Sequence, residues 1–383
     1  MKILHLLYSD GIAGAEKHLL HLLPAMKNEG INCHLIIVVS HKNKNRFDNY
    51  SIELTGLGIQ NSIIMSSKIG FLRTAKKIKN YMDSNEFIHL HSHLSNSDLI
   101  ATIIKLFFNP RLKTISTKHG YEEKFLEILP DVPDVNEQRK IARKSWFFYI
   151  SKFMIDRCDH NFAVSKALSV LFHNIGLTKT QIPFIQHGID IPKLDSNAGE
   201  NHLRISPHQI VTVGRLENFK GHKYLIEAMV YIVKQFPLSK LLIIGSGSQK
   251  TNLEALATNL GVIENIKFLG FCSDPYSYVQ NSDVAALPSL FEPFGLVYIE
   301  AFALGTPVVA FDTPAGNEIL ENNKTGLLVS PRDSKELSEK IIHLLSNPEE
   351  ADLISKAAKN KYFEYYNAQR LAKDTANFYR NIG

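Results

Sequence analysis

A chain of 383 residues, 44% hydrophobic and 21% charged, is too long for one compact core and too apolar for a disordered protein. Its three cysteines, Cys33, Cys158 and Cys272, stand far apart without ligand spacing, which argues against a disulfide framework and a structural zinc site and fits a reducing compartment. The net charge of +5 resides in the first half, where residues 1–190 hold 24 Lys+Arg against 17 Asp+Glu while the remainder holds 19 against 21. That excess is modest and no recognition motif accompanies it, so nucleic acid is not an expected partner.

In chain order, residues 2–8 form a short apolar run, the mark of a buried parallel strand. A glycine-bearing loop follows over 9–14, then a helical spacing of leucines over 15–26 and a second strand over 34–39. Helices at 74–82 and 98–108 alternate with strands at 88–91 and 113–117. A strand at 160–164 and a helix at 165–175 follow, and 183–189 closes the first half. Residues 192–207 are polar and irregular and mark the domain boundary. The rhythm then restarts, with strands at 209–213, 240–244, 266–269, 284–287, 307–311 and 325–329. Helices are expected at 224–236, 254–260, 295–304, 334–345, 351–366 and 368–382. Such alternation implies two doubly wound α/β domains, with ligands bound beyond the carboxyl ends of the strands.

The apolar start, residues 1–7, meets Asp10 and glycines too soon for a signal peptide. The longest apolar stretch, 99–108, is broken by Lys105 and stopped by Pro110, well short of the ~20 residues of a membrane span. The expected location is the cytoplasm, either free or peripheral on the inner face of the membrane.

Chemistry concentrates in Glu292-Pro293-Phe294-Gly295-Leu296-Val297-Tyr298-Ile299-Glu300. Two carboxylates eight positions apart bracket a turn and the helix that it opens; that spacing, a little over two helical turns, would let both face one side. A helix N-terminus offers amides and a positive dipole to a phosphate or sugar oxygen. Upstream, Gly214-Arg215-Leu216-Glu217-Asn218-Phe219-Lys220-Gly221 leaves a strand and places Arg215 and Lys220 where a departing diphosphate would need fixed positive charge.

Together with Gly270-Phe271, Ala13-Gly14-Ala15-Glu16, Lys118-His119-Gly120, Ala163-Val164-Ser165 and His187-Gly188-Ile189-Asp190, these stretches resemble the retaining glycosyltransferase family 4. The resemblance covers essentially the whole chain. It implies the GT-B fold, in which two Rossmann-like domains face a central cleft: an acceptor-binding domain over 1–190, a nucleotide-sugar-binding domain over 191–365, and a C-terminal helix at 366–383 packing back on the first. It further implies that Arg215 and Lys220 hold the donor diphosphate and that Glu300 accepts from the ribose hydroxyls. Glu292 would contact donor-sugar hydroxyls, aided by the amides of Phe294, Gly295 and Leu296. Gly14 would let the backbone approach the diphosphate, His119 would sit beside the donor sugar, and Gly270 and Phe271 would cradle the base. The donor would be a UDP- or GDP-linked sugar, with no separate cofactor and no metal, and the acceptor a glycan or a lipid-linked molecule in surface polysaccharide or glycolipid assembly. In such enzymes retention is explained by front-face attack, so Glu292 reads as a positioning group rather than a nucleophile. This chain departs from the family pattern in having a single glycine at 14 and His187 where asparagine is frequent.

Two other classes are weighed. A nucleotide-sugar 2-epimerase on the same scaffold would need more acid/base groups. A dinucleotide oxidoreductase lacks its Gly-x-Gly-x-x-Gly, since Gly11 and Gly14 have the wrong spacing. His89, His91 and His93 alternate on one strand face and suit a cleft-lining or acceptor-contacting role better than a metal. Gly245-Ser246-Gly247 lacks the Walker spacing and reads as a tight strand-to-helix turn. The basic, aromatic segment 124–152 reads as a helix with its aromatics in the core, with docking on an anionic membrane as the other reading.

Overall fold

A computed structural model of the chain describes residues 1–66, 70–191 and 203–382. Most of the polar stretch expected between domains, 192–202, lies outside the described residues. The chain divides into two compact units, one of Met1–Phe125, Val132–Ile189 and Asn367–Gly383, the other of Leu126–Asp131 and Asp190–Tyr366.

The first unit contains β1 (Lys2–Tyr8), α1 (Gly14–Met26), β2 (Asn32–Val39), α2 (Lys44–Gly56), β3 (Gln60–Met65), α3 (Phe71–Ser84), β4 (His89–His93) and α4 (Ser95–Ile103). After these come β5 (Lys113–Lys118), α5 (Glu123–Ile128), α6 (Val135–Ala142), α7 (Trp146–Arg157), β6 (His160–Ala163) and α8 (Lys166–Ile175). The six strands form one sheet in the order β3-β2-β1-β4-β5-β6, every pairing parallel. Ile3, Leu4, Leu6 and Leu7 of β1 are fully buried, as expected of a strand covered on both faces. The α2–β3 pair has little sequence signal: α2 buries Phe47, Tyr50 and Leu54 amid polar residues, and the edge strand β3 opens on Gln60-Asn61-Ser62. The helix expected over 98–108 ends at Ile103, where a π-helical turn, Ile104–Phe108, takes over before Pro110. Residues 183–189, which close the first half, contribute an isolated bridge, Ala163 with Phe184.

The second unit runs β7 (Gln209–Val213), α9 (His222–Gln235), β8 (Lys240–Ile244), α10 (Lys250–Asn259), β9 (Ile266–Gly270), α11 (Pro275–Gln280) and β10 (Val284–Leu287). It continues with α12 (Leu296–Leu304), β11 (Val308–Phe311), α13 (Pro314–Ile319), β12 (Leu327–Val329), α14 (Ser334–Ser346) and α15 (Pro348–Tyr365). Its sheet order is β12-β11-β10-β7-β8-β9. Numbered within its own unit, each sheet has the Rossmann order, and each reverses direction between its first and fourth strands. The unexpected short helices α11 and α13 each start at a proline behind a capping side chain, Asp274 for Ser277 N and Thr313 for Gly316 N.

The last helix, α16 (Ala368–Ile382), belongs to the first unit. Its Leu371, Ala372, Ala376 and Tyr379 are buried in the same cluster as Ile3, Leu19 and Leu22. The three cysteines are free; burial pushes Cys33 up to about 12 and Cys158 up to about 11, which makes both unreactive.

Candidate active site

In the second unit, the loops that leave β7 and β10 flank the reversal point of the sheet. The β10 loop carries Ser289 and Glu292, and the β7 loop carries Arg215 and Lys220. Glu292 is 7% exposed, and its Oε1 accepts from Lys220 Nζ at 2.5 Å and from Ser289 Oγ at 2.8 Å. Lys220 is itself largely covered, so the pair is screened less than a surface ion pair. Lys220 Nζ lies 5.7 Å and the Arg215 guanidinium 5.5 Å from the centroid of the buried Phe219 ring, so one aromatic carries both cations.

Backbone geometry fixes these loops. A Cβ on Gly221, at φ +70°, would lie 1.9 Å from the Pro288 carbonyl oxygen, so the two loops touch through a residue that must be glycine. His222 is buried and its Nε2 lies 3.1 Å from the Arg215 carbonyl oxygen. Burial, with Lys220 nearby, lowers His222 to about 4, so a neutral ring donates to that carbonyl and holds the Arg215 backbone. The Gly245-Ser246-Gly247 turn packs against the same loop: Leu216 N donates to Ser246 O at 2.9 Å. The turn serves as packing, as its sequence suggests.

The two carboxylates are not on one helical face. Glu292 precedes α12 in the loop, while Glu300 lies within the helix. The Pro293-Phe294-Gly295 turn, with Gly295 at φ +100°, breaks the helical period between them. Glu300 is 5% exposed and accepts from Tyr276 OH at 3.3 Å. Phe294 is buried, and the amides of Phe294, Gly295 and Leu296 lie at the start of α12. Tyr298 OH is buried without a hydrogen-bond partner among the described residues. Its pKa is driven well above the usual tyrosine range, first by burial and then by Glu292. Gly270 has φ +69° and its carbonyl accepts from Gly245 N at 2.8 Å; Phe271 beside it is 84% exposed, a bare ring face. Sequence reasoning missed Ser289, Tyr276, Tyr298 and His222. Ser289 alone had a local signal, three positions before Glu292.

In the first unit, Gly14 is the first residue of α1 rather than a loop residue, and Ala13 N donates to Glu16 Oε2 at 2.8 Å. About one helical turn further on, His18 meets a cluster of imidazoles drawn from β1, β4, the end of β5 and the 187 loop. Ring centroids are 4.3 Å apart for His91–His93, 4.9 Å for His5–His91, 5.0 Å for His18–His119 and 4.6 Å for His18–His187. His5 Nδ1 lies 3.1 Å from His93 Nε2, and His93 Nδ1 lies 3.1 Å from His119 Nε2. His91 is held by Tyr379 OH at 2.5 Å and Thr117 Oγ1 at 2.7 Å. Burial lowers every ring: His5 and His119 to about 3, and His18, His91, His93 and His187 well below the usual histidine range. The expectation that His89, His91 and His93 line the cleft or contact an acceptor is corrected: His91 and His93 are 0% and His89 6% exposed. His5, His18 and His187 carried no spacing signal, since distant chain segments bring them together.

The segment 124–152 is corrected as well. Phe148 is in the core, but Trp146 is 72% and Tyr149 60% exposed, and Phe153 one turn on is also exposed. These three rings recur at helical spacing on α7, among exposed Arg143, Lys144 and Arg157. Among the described residues no helix is long and apolar enough to cross a membrane.

Comparison with known proteins gives this geometry a context. Residues 12–193 match the model described as Glycosyltransferase Family 4, and residues 197–361 the one described as Glycosyl transferases group 1. An uncharacterized glycosyltransferase of Methanocaldococcus jannaschii is 36% identical over 173 residues, 45% of this chain and 44% of its own. The chain thus spans about half the length of that curated relative, 44%. The N-acetylgalactosamine-N,N'-diacetylbacillosaminyl-diphospho-undecaprenol 4-alpha-N-acetylgalactosaminyltransferase of Campylobacter jejuni is 26% identical over 368 residues, covering 93% of this chain and 92% of that one. Among solved structures, Anabaena HepE in complex with UDP and glucose is similar at a TM-score of 0.80 and 20% identity, over 100% of both chains. With the two family models met in sequence order, and two six-stranded parallel sheets of the matching fold beneath them, the chain belongs to the group 1 glycosyltransferases of GT-B fold.

Proposed function

We propose that the chain transfers a sugar from a UDP- or GDP-linked donor to a glycan or lipid-linked acceptor, with retention at the anomeric carbon and without a catalytic metal. The observation that carries this is the Lys220–Glu292 pair beside Arg215 at the reversal point of the second sheet. In this reading the second unit binds the donor and the first the acceptor.

Lys220 has three N–H donors, one of which serves Glu292. With Arg215 it would gather the charge that develops on the diphosphate as the bond from C1 to phosphate oxygen breaks. The acceptor hydroxyl attacks C1 on the same face, and its proton passes to the leaving phosphate oxygen. Glu292, held by Lys220 and Ser289, would orient donor hydroxyls. Glu300 would take the ribose hydroxyls, Phe271 with Gly270 the base, and the amides of Phe294, Gly295 and Leu296 a phosphate or sugar oxygen. Gly14 would admit the diphosphate and His119 would stand beside the sugar. The lipid-linked acceptor finds support in the Campylobacter relative, whose name specifies a diphospho-undecaprenol acceptor, and in the exposed aromatic stripe of α7, suited to the cytoplasmic face of an anionic membrane. None of the relatives named above is an epimerase, and nothing else in the site favours that reading.

The test is release of free nucleoside diphosphate over a panel of nucleotide sugars, run with and without EDTA. Release from a UDP- or GDP-sugar that survives EDTA is expected. Failure with every donor would defeat the transferase reading, and loss in EDTA restored by a divalent ion would defeat its metal-free form. Thermal shift should show stabilisation by UDP, GDP or ADP and none by NAD(H).

A further inference from the structure

We propose that His18, His93 and His119 form a binding site, inside the first unit, for a borderline divalent cation of the Zn2+ or Co2+ type. One ring nitrogen from each lies within 4.8 Å of the other two. Two nitrogens of this trio are buried without a partner among the described residues, His18 Nε2 and His119 Nδ1. A network of neutral imidazoles alone leaves His18 Nε2 unexplained, since a buried polar atom without a partner is costly, and an ion would take that lone pair; His119 Nδ1 is instead the position that can receive a displaced proton.

The proton arithmetic works without releasing a proton. His93 Nδ1 and His119 Nε2, 3.1 Å apart, share one hydrogen between two lone-pair positions. A cation takes both lone pairs if that proton moves to His119 Nδ1, the partnerless nitrogen on the far side of the same ring. His93 then keeps its proton on Nε2, which faces His5 Nδ1 at 3.1 Å. His18 keeps its proton on Nδ1, which faces His187 Nδ1 at 2.8 Å, and turns Nε2 to the ion. His5 and His187 thus occupy the outer positions that orient metal-binding imidazoles.

The trio His5, His91 and His93 also lies within reach of a common ion. His91, however, spends both nitrogens on Tyr379 OH and Thr117 Oγ1, so it is a poorer ligand. The donor set is all nitrogen, which disfavours Mg2+ and Ca2+. Asp98, paired with Lys118 at 2.6 Å, bonds Ser92 and Ser116, which alternate with His91, His93 and Thr117 and so face the other side of the sheet; affinity rests on imidazole donation, which favours metals high in the Irving–Williams order. Three histidines leave a fourth position for water, and the half-buried His119 is the ring nearest to solvent. One consequence rests on the proposed function: an ion that captures His119 withdraws it from the donor sugar, so Zn2+ inhibits transfer.

The experiment titrates the untagged full chain with Co2+ and follows the visible bands of tetrahedral cobalt. One equivalent should bind, be displaced by Zn2+ and ignore excess Mg2+. His18→Asn and His119→Asn should weaken uptake by about 10²-fold or more, and His187→Asn by about 10-fold to 10²-fold. The His208→Asn control in the second unit should bind as the parent does, with circular dichroism reporting the fold of each variant. No uptake by the folded parent, or unchanged uptake in folded His18→Asn, overturns the site. Uptake is read without any donor, so a chain that releases nucleoside diphosphate yet binds no Co2+ sinks this inference alone. A chain that binds Co2+ yet turns over no donor sinks the transferase reading alone.

Discussion

The two units repeat one strand order, and at the same topological point they hold opposite materials. Where the second sheet reverses, a lysine, an arginine and the Glu292 carboxylate are fixed by short loops and a glycine contact. Around the first and fourth strands of the other sheet, six imidazoles are packed together and kept uncharged by burial. The comparison teaches that strand order decides where a site forms, while the residues at the strand ends decide whether it holds charge or neutral donors and acceptors. Charge in the second unit suits a leaving diphosphate. Neutral rings in the first suit hydroxyls, or a metal that binds lone pairs.

The comparison breaks most visibly if its charged side does no work. Arg215→Ala and Lys220→Ala should each lower turnover about 10²-fold to 10³-fold, the scale of one lost donor to developing charge; near-normal kcat in both would refute the assignment. Glu292→Ala should then destabilise the second unit by about 3 kcal/mol, because it leaves Lys220 in a largely covered position without its carboxylate partner. Urea unfolding followed by hydrogen exchange would locate that loss, and an unchanged midpoint would show the pair to be dispensable.

Acid should act on the other side. Unfolded histidines titrate near 6.5, whereas His5 and His119 in the fold titrate at about 3. Between those values the unfolded chain binds protons that the native one refuses, so stability falls as pH drops through that window. The slope is about 1.4 kcal/mol per pH unit for each ring. The first unit should lose exchange protection before the second, where His222 is lowered to about 4; simultaneous loss would remove the contrast. The smallest effect belongs to α7: Trp146→Ser with Tyr149→Ser should cut flotation with anionic liposomes severalfold at low salt, with turnover on a water-soluble acceptor unchanged. Equal flotation of parent and variant would dissociate the stripe from membranes.

Much of this was legible in the chain, for identifiable reasons. Buried parallel strands such as β1 and β2 read as short, largely apolar runs, and the loop motifs at 214–221 and 292–300 are contiguous, so their roles could be proposed residue by residue. The α2–β3 pair escaped because an edge strand and a polar helix carry a weak periodic signal. Glu292 and Glu300 were assigned a common face because a helical period was extended across a turn. The imidazole cluster was out of reach for another reason: His5, His18, His119 and His187 meet through tertiary packing, and no spacing along the chain encodes that meeting. Trp146 and Tyr149 show the converse, since aromatic residues suggest a core until their exposure is known.

The place of α16 bears on how the protein is made. Leu371, Ala372, Ala376 and Tyr379 fill the interior of the unit that contains residue 1. The unit that holds residues 1–125 therefore cannot complete its interior until residues 368–382 leave the ribosome, while the second unit, residues 190–366, can close earlier. Nascent chains halted before residue 367 should expose an open groove to chaperones beside β1 and α1, so of the two units the one interrupted by the other is the later to finish folding.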